Sequence, residues 1–177
     1  HRHPQRPVAA DGRRRGVADG RLPQRRRGAA RDRCDYTIDR IRAVVTKRYK
    51  YIRNFMTDRP YLQPQYRDGR SDMKAYRALF AAGKLNKVQA AFAGPERPAE
   101  ELYDLATDPH ETVNLAGQTK HADVLAKMRT RLQRWVVDTD DQGRFPESDE
   151  ALKAVLKRWG KKADNKEYDR VRGKNPR

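Results

Sequence analysis

Four side chains that could bind a metal ion or transfer protons lie in the stretch EELYDLATDPHETVNLA, residues 100–116: Asp104, Asp108, His110 and Glu111. Carboxylates and imidazoles are the side-chain groups that most often do both kinds of chemistry near neutral pH. The same pattern is also typical of a strand that leaves a sheet through an Asp-Pro turn. Leu102 and Leu105 favour this second interpretation, in which the carboxylates and the histidine are turn and surface groups.

A second acidic stretch, DTDDQGRFPESD at residues 138–149, matches part of a calcium-binding EF-hand loop. Loop positions 1, 3, 5 and 6 are Asp138, Asp140, Gln142 and Gly143, of which Gln142 departs from the Asp or Asn expected at position 5. However, Pro146 interrupts the loop, and Asp149 stands where a bidentate glutamate is required. The sequence has no second loop of this kind, so we favour a solvated helix exit over a calcium site.

The histidines and the cysteine form no recognisable catalytic or metal-binding pattern. No histidine among His1, His3, His110 and His121 has another four residues away, as a helical zinc pair requires. Cys34 is the only cysteine, which excludes an intrachain disulfide and a CxxC metal knuckle. A nucleophile elbow, a P-loop and a dinucleotide-binding glycine motif are also absent.

The basic charge of the chain is unevenly distributed. The 177 residues carry a net charge of +17, of which residues 1–33 contribute +8 through 11 Arg, no Lys and 3 Asp. Those residues contain almost no large apolar side chain, so we predict that segment 1–33 is disordered. Two interpretations of it remain open: an Arg-rich arm that binds a polyanion, or a GC-rich gene segment read out of frame, which we favour.

Residues 34–177 predict a small sheet covered by helices. IRAVVT at 41–46 and YKYIRNF at 49–55 predict a β-hairpin, and ELYDL at 101–105 predicts a further strand. Residues 58–69, with two prolines and a glycine, predict an irregular connection. Because a sheet of three to four antiparallel strands needs a helical cover, the sequence predicts an α+β fold.

Apolar residues at helical spacing predict the helices of that cover. Ser71 is predicted to cap one helix, and a shorter helix follows at 86–93. The strongest pattern predicts a long C-terminal helix at 120–137, with one apolar stripe: Val124, Leu125, Met128, Leu132, Trp135 and Val136. A last helix is predicted at 149–160, and the polar tail from Lys161 is predicted to fray.

One alternative function is a small basic nucleic-acid-binding protein. TKRYKYIRNF at 46–55 interleaves cations with aromatic rings, as sheets that bind single-stranded nucleic acids also do. A strand with one polar and one apolar face explains the same residues without a ligand, and we favour that interpretation. The sequence contains no apolar run long enough to span a bilayer and no apolar signal region at its start.

Several stretches together resemble the C-terminal part of a sulfatase of the alkaline-phosphatase-like superfamily, in its bacterial arylsulfatase and heparan N-sulfatase-like branch. The resemblance covers residues 31–148 and is carried by RDRCDYTIDRIRAVVTKRYKYIRNF, RPYLQPQYRD, AGKLNKVQAAF, RPAEELYDLATDPHETVNLA and RLQRWVVDTDDQGRFPES. It implies a small four-stranded antiparallel sheet packed on a long helix and appended to a large catalytic domain. The implied organisation is segment 1–33, a sulfatase C-terminal domain at 34–148, and a terminal helix with a frayed tail at 149–177.

The resemblance also implies that the catalytic residues lie elsewhere. Sulfatases carry a C/S-x-P-x-R motif, whose Cys or Ser becomes formylglycine, and Asp/Asn ligands for calcium, both in the N-terminal catalytic domain. Cys34 is followed by Asp-Tyr-Thr and cannot be that nucleophile. We therefore expect no catalytic residue and no metal site in this chain, which by itself is expected to be inactive.

The implied partners are the protein's own N-terminal catalytic domain and a sulfated substrate, with no membrane and no nucleic acid. Because the segment near residue 31 is expected at the domain junction, we predict a substrate rim formed by Arg31, Arg33 and Asp35. The resemblance further implies a periplasmic or secreted location for an intact member of the family.

Overall fold

The computed structural model describes residues 27–173 and contains one antiparallel sheet in the described part of the chain. The sheet has the order β1-β2-β3-β4, so each strand pairs with its neighbour in the sequence. The strands are β1 (Arg27–Cys34), β2 (Thr37–Val45), β3 (Tyr49–Asn54) and β4 (Glu100–Asp104). The predicted hairpin is β2 and β3, closed by a 2.8 Å hydrogen bond from the Thr46 N–H to the Tyr49 carbonyl.

Helices lie between and after the strands, which confirms the predicted α+β fold class. They are α1 (Ser71–Ala81), α2 (Lys87–Ala93), α3 (Ala122–Asp138), α4 (Asp149–Trp159) and α5 (Asp169–Arg172). The long helix predicted at 120–137 is α3, and its apolar stripe faces the sheet. In the part of the chain that the structure describes, no helix combines the length and the apolar character that a membrane span needs.

The main core lies between one face of the sheet and α3. One buried side chain from each of β2, β3 and β4 packs against three that recur at helical spacing along α3: Val44, Tyr51, Leu102, Leu125, Met128 and Leu132. The two periods, two on a strand and 3.6 on a helix, bring these residues onto facing surfaces. Trp135 and Val136 of the predicted stripe pack at the margin of this core.

A second core shows that the tail predicted to fray from Lys161 is ordered up to Gly173. Tyr168 is 0% exposed, and its hydroxyl donates a 2.7 Å hydrogen bond to the Tyr36 carbonyl. The Asn165 carboxamide oxygen accepts from the Ile38 N–H at 2.9 Å. The prediction is wrong over these residues because one aromatic ring and one side-chain acceptor suffice to fix a polar tail to the end of the sheet.

The disorder predicted for segment 1–33 is wrong for its last residues, which form the edge strand β1; residues 1–26 lie outside the described part of the chain. A strand gains its stability from backbone pairing with β2, for which large apolar side chains are not needed. Gly28 also lies directly against Trp135, and a Cβ atom there would overlap the indole ring. The predicted domain boundary between residues 33 and 34 falls inside β1.

Helices α1 and α2 form a separate unit, which we call the α1–α2 hairpin, residues 71–93. The predicted cap is wrong, because the N-cap of α1 is Arg70, without a side-chain cap, and Ser71 is the first helical residue. Helix α2 begins with a capping box between Asn86 and Gln89. Neither helix contains a buried residue.

Candidate functional site

A bulge in β1 decides where the predicted rim residues lie. Arg31 pairs with Ile41 of β2, whereas Arg33 pairs with Ile38, so the register shifts between them. Paired residues of antiparallel strands share a face, and Ile38 and Ile41, three residues apart, lie on different faces. Arg31 and Arg33 therefore lie on opposite faces of the sheet.

Each predicted rim residue has different surroundings. The Arg31 guanidinium lies 3.3 Å from the Asp39 carboxylate. Arg33 forms an ion pair with Glu147 on the opposite face. Asp35 lies in the turn between β1 and β2 with a φ of 55°, which is the left-handed region that Asp tolerates better than most residues. The structure does not bring the three residues together.

Arg42 is a buried charge on the face that α3 covers. Its Nε and Nη2 atoms donate to the two carboxylate oxygens of Asp141 at 2.6 and 3.0 Å, and Nη1 donates to Asp32 at 2.6 Å. Burial alone would lower the pKa of Arg42, but the hydrogen bonds to Asp141 and Asp32 raise it overall. This cation therefore ties the loop after α3 to the bulge of β1.

The loop after α3 approaches Arg42 so closely that it requires a glycine. A Cβ atom at Gly143 would overlap the Arg42 guanidinium and come within 2.8 Å of an Asp32 carboxylate oxygen. Any side chain at this position would push Arg42 away from its carboxylates. A glycine is therefore needed for the loop backbone to lie this close to Arg42.

An arginine-rich cleft of about 650 Å³ lies beside this ion pair, between the sheet and α3. Its charged lining residues are four arginines and two carboxylates: Arg40, Arg42, Arg53, Arg129, Glu100 and Asp141. A second cleft of about 530 Å³ shares Arg40, Phe55 and Gly143 with it. The positive excess suits an anionic group.

Phe55 gives the arginine-rich cleft an aromatic surface. Its ring is 42% exposed, and the guanidinium carbons of Arg40 and Arg53 lie 4.6 and 5.7 Å from its centroid. Arg53 also lies 3.7 Å from Glu100. Two cations over one exposed ring can hold an anionic ligand that has an apolar face.

The other face of the sheet carries a buried ion pair between Asp39 and Arg97, whose side chains are both 0% exposed. Arg97 Nη1 donates to Asp39 Oδ2 at 3.0 Å, and Gln63 Nε2 donates to the same oxygen at 3.0 Å. Arg97 Nε also donates to the Met56 carbonyl at 3.1 Å. These bonds fix the connections around residues 63 and 97 onto β2.

A second polar cluster on that face has the chemistry of structural hydrogen bonds. Asn54 Nδ2 and the Tyr103 hydroxyl each donate to Glu101 at 2.5 Å. Burial, followed by the bond to Glu101, raises the pKa of Tyr103, and burial and the Glu101 charge raise the pKa of Tyr61. Both hydroxyls therefore stay protonated near neutral pH and act as hydrogen-bond donors.

The stretch 100–116 has the structural role that its turn residues predict. Asp104 accepts two hydrogen bonds from Arg48 Nε, at 3.1 and 3.0 Å, and one from Nη2 at 2.7 Å. Asp108 accepts from the Val113 N–H at 2.8 Å. His110 is exposed. These side chains hold a turn and share no reactive centre.

Asn114 ties the end of this stretch back to β4. Its Oδ1 accepts from the Leu102 N–H at 3.0 Å, and its Nδ2 donates to the Glu100 carbonyl at 3.0 Å. The Leu115 N–H donates to the Leu102 carbonyl at 2.8 Å. The carboxamide and the following backbone thus replace a fifth strand along the edge of β4.

The acidic loop at 138–149 is attached to the sheet through an ion pair between Asp141 and Arg42. Asp141, which the EF-hand comparison does not use, is the residue that pairs with Arg42. Among the described residues, no group of three or more His, Cys, Asp and Glu side chains is placed to hold a metal ion. The prediction that this loop is a solvated helix exit did not include the contact of Asp141 with the buried Arg42.

Two of the four cations in the stretch 46–55, Arg48 and Lys50, form ion pairs with carboxylates of the same domain. Lys50 Nζ donates to Glu111 at 2.6 Å, and Arg48 pairs with Asp104. This arrangement favours the interpretation of the strand as a two-faced structural element over a nucleic-acid surface.

Sequence reasoning missed the two buried arginines, Arg42 and Arg97. A signal for one of their partners was present in β2, where Asp39 shares a face with the apolar residues Ile41 and Ala43. A charge on an apolar strand face predicts a buried partner. The identity of that partner follows only from the folded chain.

Comparisons with known proteins identify the class to which this architecture belongs. The chain is 40% identical over 122 residues to the "Ulvan-active sulfatase" of Formosa agariphila, a match that covers 68% of this chain and 20% of the relative. It is 46% identical over 41 residues to the human "N-sulphoglucosamine sulphohydrolase", covering 23% of this chain and 8% of that protein. No protein-family model matches the sequence.

A solved structure from Bacteroides thetaiotaomicron that is classed as a sulfatase covers 79% of this chain and 24% of its own, with 19% identity and a TM-score of 0.45. The two curated relatives carry the assignment. The chain is a sulfatase-related domain, similar to the C-terminal domain of sulfatases. The matched region spans about a fifth of the length of the ulvan-active relative.

Proposed function

We propose that this chain is the C-terminal accessory domain of a sulfatase-type hydrolase of sulfuric esters or sulfamates and is inactive alone. The observation that carries the proposal is the 40% identity over 122 residues to a sulfatase of which the match covers 20%. The absence of C/S-x-P-x-R from the 177 residues supports the proposed inactivity.

The proposed division of labour follows from the chemistry of sulfate-ester cleavage. The reaction needs a strong nucleophile, a cation that holds the sulfate, and an acid for the leaving group. Asp39, Asp104 and Asp141 fit a calcium ion poorly, because each of them pairs with an arginine. We therefore assign formylglycine and calcium to the catalytic domain and derive no step through them here.

The proposed substrate is a sulfated molecule, and the arginine-rich cleft is the described surface that suits it best. Arg53 and Arg129 are 39% and 51% exposed in their side chains, so their N–H groups can reach a sulfate. The substrate rim of Arg31, Arg33 and Asp35 stays a prediction. In such a rim the two arginines would contact substrate from separate faces of the sheet.

The test of the function is an activity assay on the purified chain with 4-methylumbelliferyl sulfate and calcium chloride. We expect no turnover above the buffer rate, while the ulvan-active relative, assayed with its own sulfated polysaccharide, serves as positive control. Turnover that persists in the purified chain, at constant specific activity through successive columns, would contradict the proposed inactivity.

The test of the cleft is binding of the chain to ulvan, a sulfated polysaccharide, at several salt concentrations. We expect Arg53→Gln to weaken binding more than Lys153→Gln, which removes an exposed cation on α4 without touching the cleft. Equal weakening by both variants would mean that only the net charge of the chain attracts the polymer.

A further inference from the structure

The α1–α2 hairpin exposes an apolar surface that no residue between 27 and 173, the described part of the chain, covers. Its large side chains, together with a neighbouring tyrosine, are 37–54% exposed: Tyr66, Leu79, Phe80, Val88 and Phe92. Exposed apolar residues scattered singly are ordinary, but a group on one small unit marks an interaction surface. The other large exposed apolar residues, such as Val113, lie outside this unit.

The hairpin is held by contacts that leave both of its helices without a buried residue. Tyr76 meets the Phe92 ring edge-on at 6.4 Å, and Tyr61 stacks on Phe92 at 6.1 Å. The Leu62 N–H donates to the Phe92 carbonyl at 3.1 Å. Helices of 11 and 7 residues are marginal by themselves and normally depend on a buried apolar face.

The charge around this surface indicates the kind of partner that fits it. Residues 66–93 carry six cations and two carboxylates: Arg67, Arg70, Lys74, Arg77, Lys84, Lys87, Asp68 and Asp72. A second copy of this strongly basic chain would bring the same positive charge to the contact. Complementarity therefore favours an apolar surface bordered by acidic residues.

We propose that the α1–α2 hairpin is the surface on which the catalytic domain of the same sulfatase docks. The inference rests on the proposed function, because the occupant is the part of the enzyme that this chain lacks. The match covers 20% of the ulvan-active relative, so a polypeptide of sufficient size to cover the hairpin exists in that protein. Leu79, Phe80 and Phe92 are the contacts that exclude water, and the cations set the orientation.

The first test measures whether the hairpin is uncovered in the 177-residue chain. In hydrogen–deuterium exchange we expect amides of α1 and α2 to exchange about 100-fold faster than the central amides of α3, because few buried contacts resist their opening. Equal protection of the hairpin and α3 would show that the hairpin is stable without a partner and would overturn the proposal.

The second test identifies the occupant. The ulvan-active sulfatase, with the region that matches this chain removed, is co-expressed with the 177-residue chain, and soluble sulfatase activity is measured; the region removed from the relative serves as the positive control. We expect the unaltered chain and the exposed control variant Val113→Lys to restore activity. Leu79→Lys/Phe80→Lys should lower the restored activity about tenfold or more, as substitutions at the centre of an interface do.

The outcomes separate this inference from the function on which it rests. If the unaltered chain and Leu79→Lys/Phe80→Lys restore activity equally, the catalytic domain docks elsewhere and the inference fails, while the proposed function stands. If the relative's own region restores activity and this chain does not, the proposed function fails. Unchanged circular dichroism and urea midpoint of the double variant confirm that a loss reflects docking and not misfolding.

Discussion

The sheet and the α1–α2 hairpin show two ways in which one chain treats its apolar and charged residues. On the sheet, Leu102 and the charged pair Asp39 and Arg97 are almost fully buried. On the hairpin, no residue of either helix is buried, and Phe92 is half exposed. The sheet is therefore stabilised by burial within the chain, whereas both helices of the hairpin lie at the surface of the described residues.

In this domain, charged side chains are buried where the chain itself supplies their partners. A buried ion pair is tolerated only where each charge has all its partners, and Asp39 has donors from Arg97, Gln63 and Arg31. The cations of the hairpin stay near solvent, as Arg70 does at 64% side-chain exposure. Substitutions should consequently have large effects on the sheet and small effects on the hairpin.

The largest expected effect comes from breaking the buried pair on the sheet. Arg97→Ala leaves the Asp39 carboxylate buried without its cation, which should lower the free energy of unfolding by about 3–5 kcal/mol. Urea denaturation measures the loss. The double variant Asp39→Leu/Arg97→Met should lose less, because it leaves no unpaired charge; a double variant that loses as much would contradict the assignment of the loss to charge.

The next effect tests whether the tail belongs to the sheet unit. Tyr168→Ala removes a ring that is 0% exposed and should cost about 3 kcal/mol. Tyr168→Phe keeps the ring, removes the hydroxyl bond to the Tyr36 carbonyl, and should cost about 1 kcal/mol. Thermal unfolding of both variants checks the ratio. A negligible effect of Tyr168→Ala would place the tail outside the cooperative unit.

A smaller effect tests the edge strand that sequence reasoning assigned to disorder. Gly28→Ala places a methyl group against Trp135 and should destabilise the chain by about 1–3 kcal/mol through overpacking. Gly69→Ala is the matched control, because a Cβ atom there meets nothing within 4 Å. Urea midpoints of the two variants should differ. If they agree, β1 does not pack on α3 in solution.

The pH dependence of the sheet should show the Glu100 ion pair. The hydrogen bond from Arg129 lowers the pKa of Glu100 from 4.5 to about 2. A lowered carboxylate pKa stabilises the folded chain above the unfolded value, and this stability is lost as the pH falls from about 4.5 to 2. Because Arg129 is half exposed, we expect about 1 kcal/mol or less. Glu100→Gln should flatten this part of the curve measured by urea titration.

The smallest effect is expected on the hairpin. Leu79→Lys and Phe80→Lys change side chains that are already 43% and 37% exposed, so the free energy of unfolding of the isolated chain should change by about 0.5 kcal/mol or less. Urea denaturation measures the change. A loss comparable to that of Tyr168→Ala would mean that the hairpin belongs to the same cooperative core as the sheet.

Sequence patterns alone predicted the main elements well where one face of an element is apolar. The hairpin of β2 and β3, the strand β4 and the helix α3 follow from periods of two and 3.6 residues that burial imposes. The turn within residues 100–116 could also be predicted from the sequence, because its turn residues act locally. These are properties that neighbours along the chain decide.

The candidate site was much less predictable, because its parts are far apart in the sequence. The cleft beside Phe55 combines Arg40 and Arg53 from adjacent strands with Arg129 from α3. The bulge between Arg31 and Arg33 places these two predicted rim residues on opposite faces of the sheet, which the sequence did not indicate. A one-residue shift of register leaves no trace in composition or spacing.

The sequence by itself determined the fold class, the α3 stripe and the relation to sulfatases, since these depend on local periodicity and on motifs that can be read in order. Only the tertiary structure decided that β1 and the tail complete the domain, that Arg42 and Arg97 are buried with their carboxylates, and that the α1–α2 hairpin is uncovered. The physical reason is that burial of a given side chain depends on which distant residues reach it. The sequence of a polar tail, of a glycine-containing edge strand or of an amphipathic helix is the same whether or not distant residues pack against it.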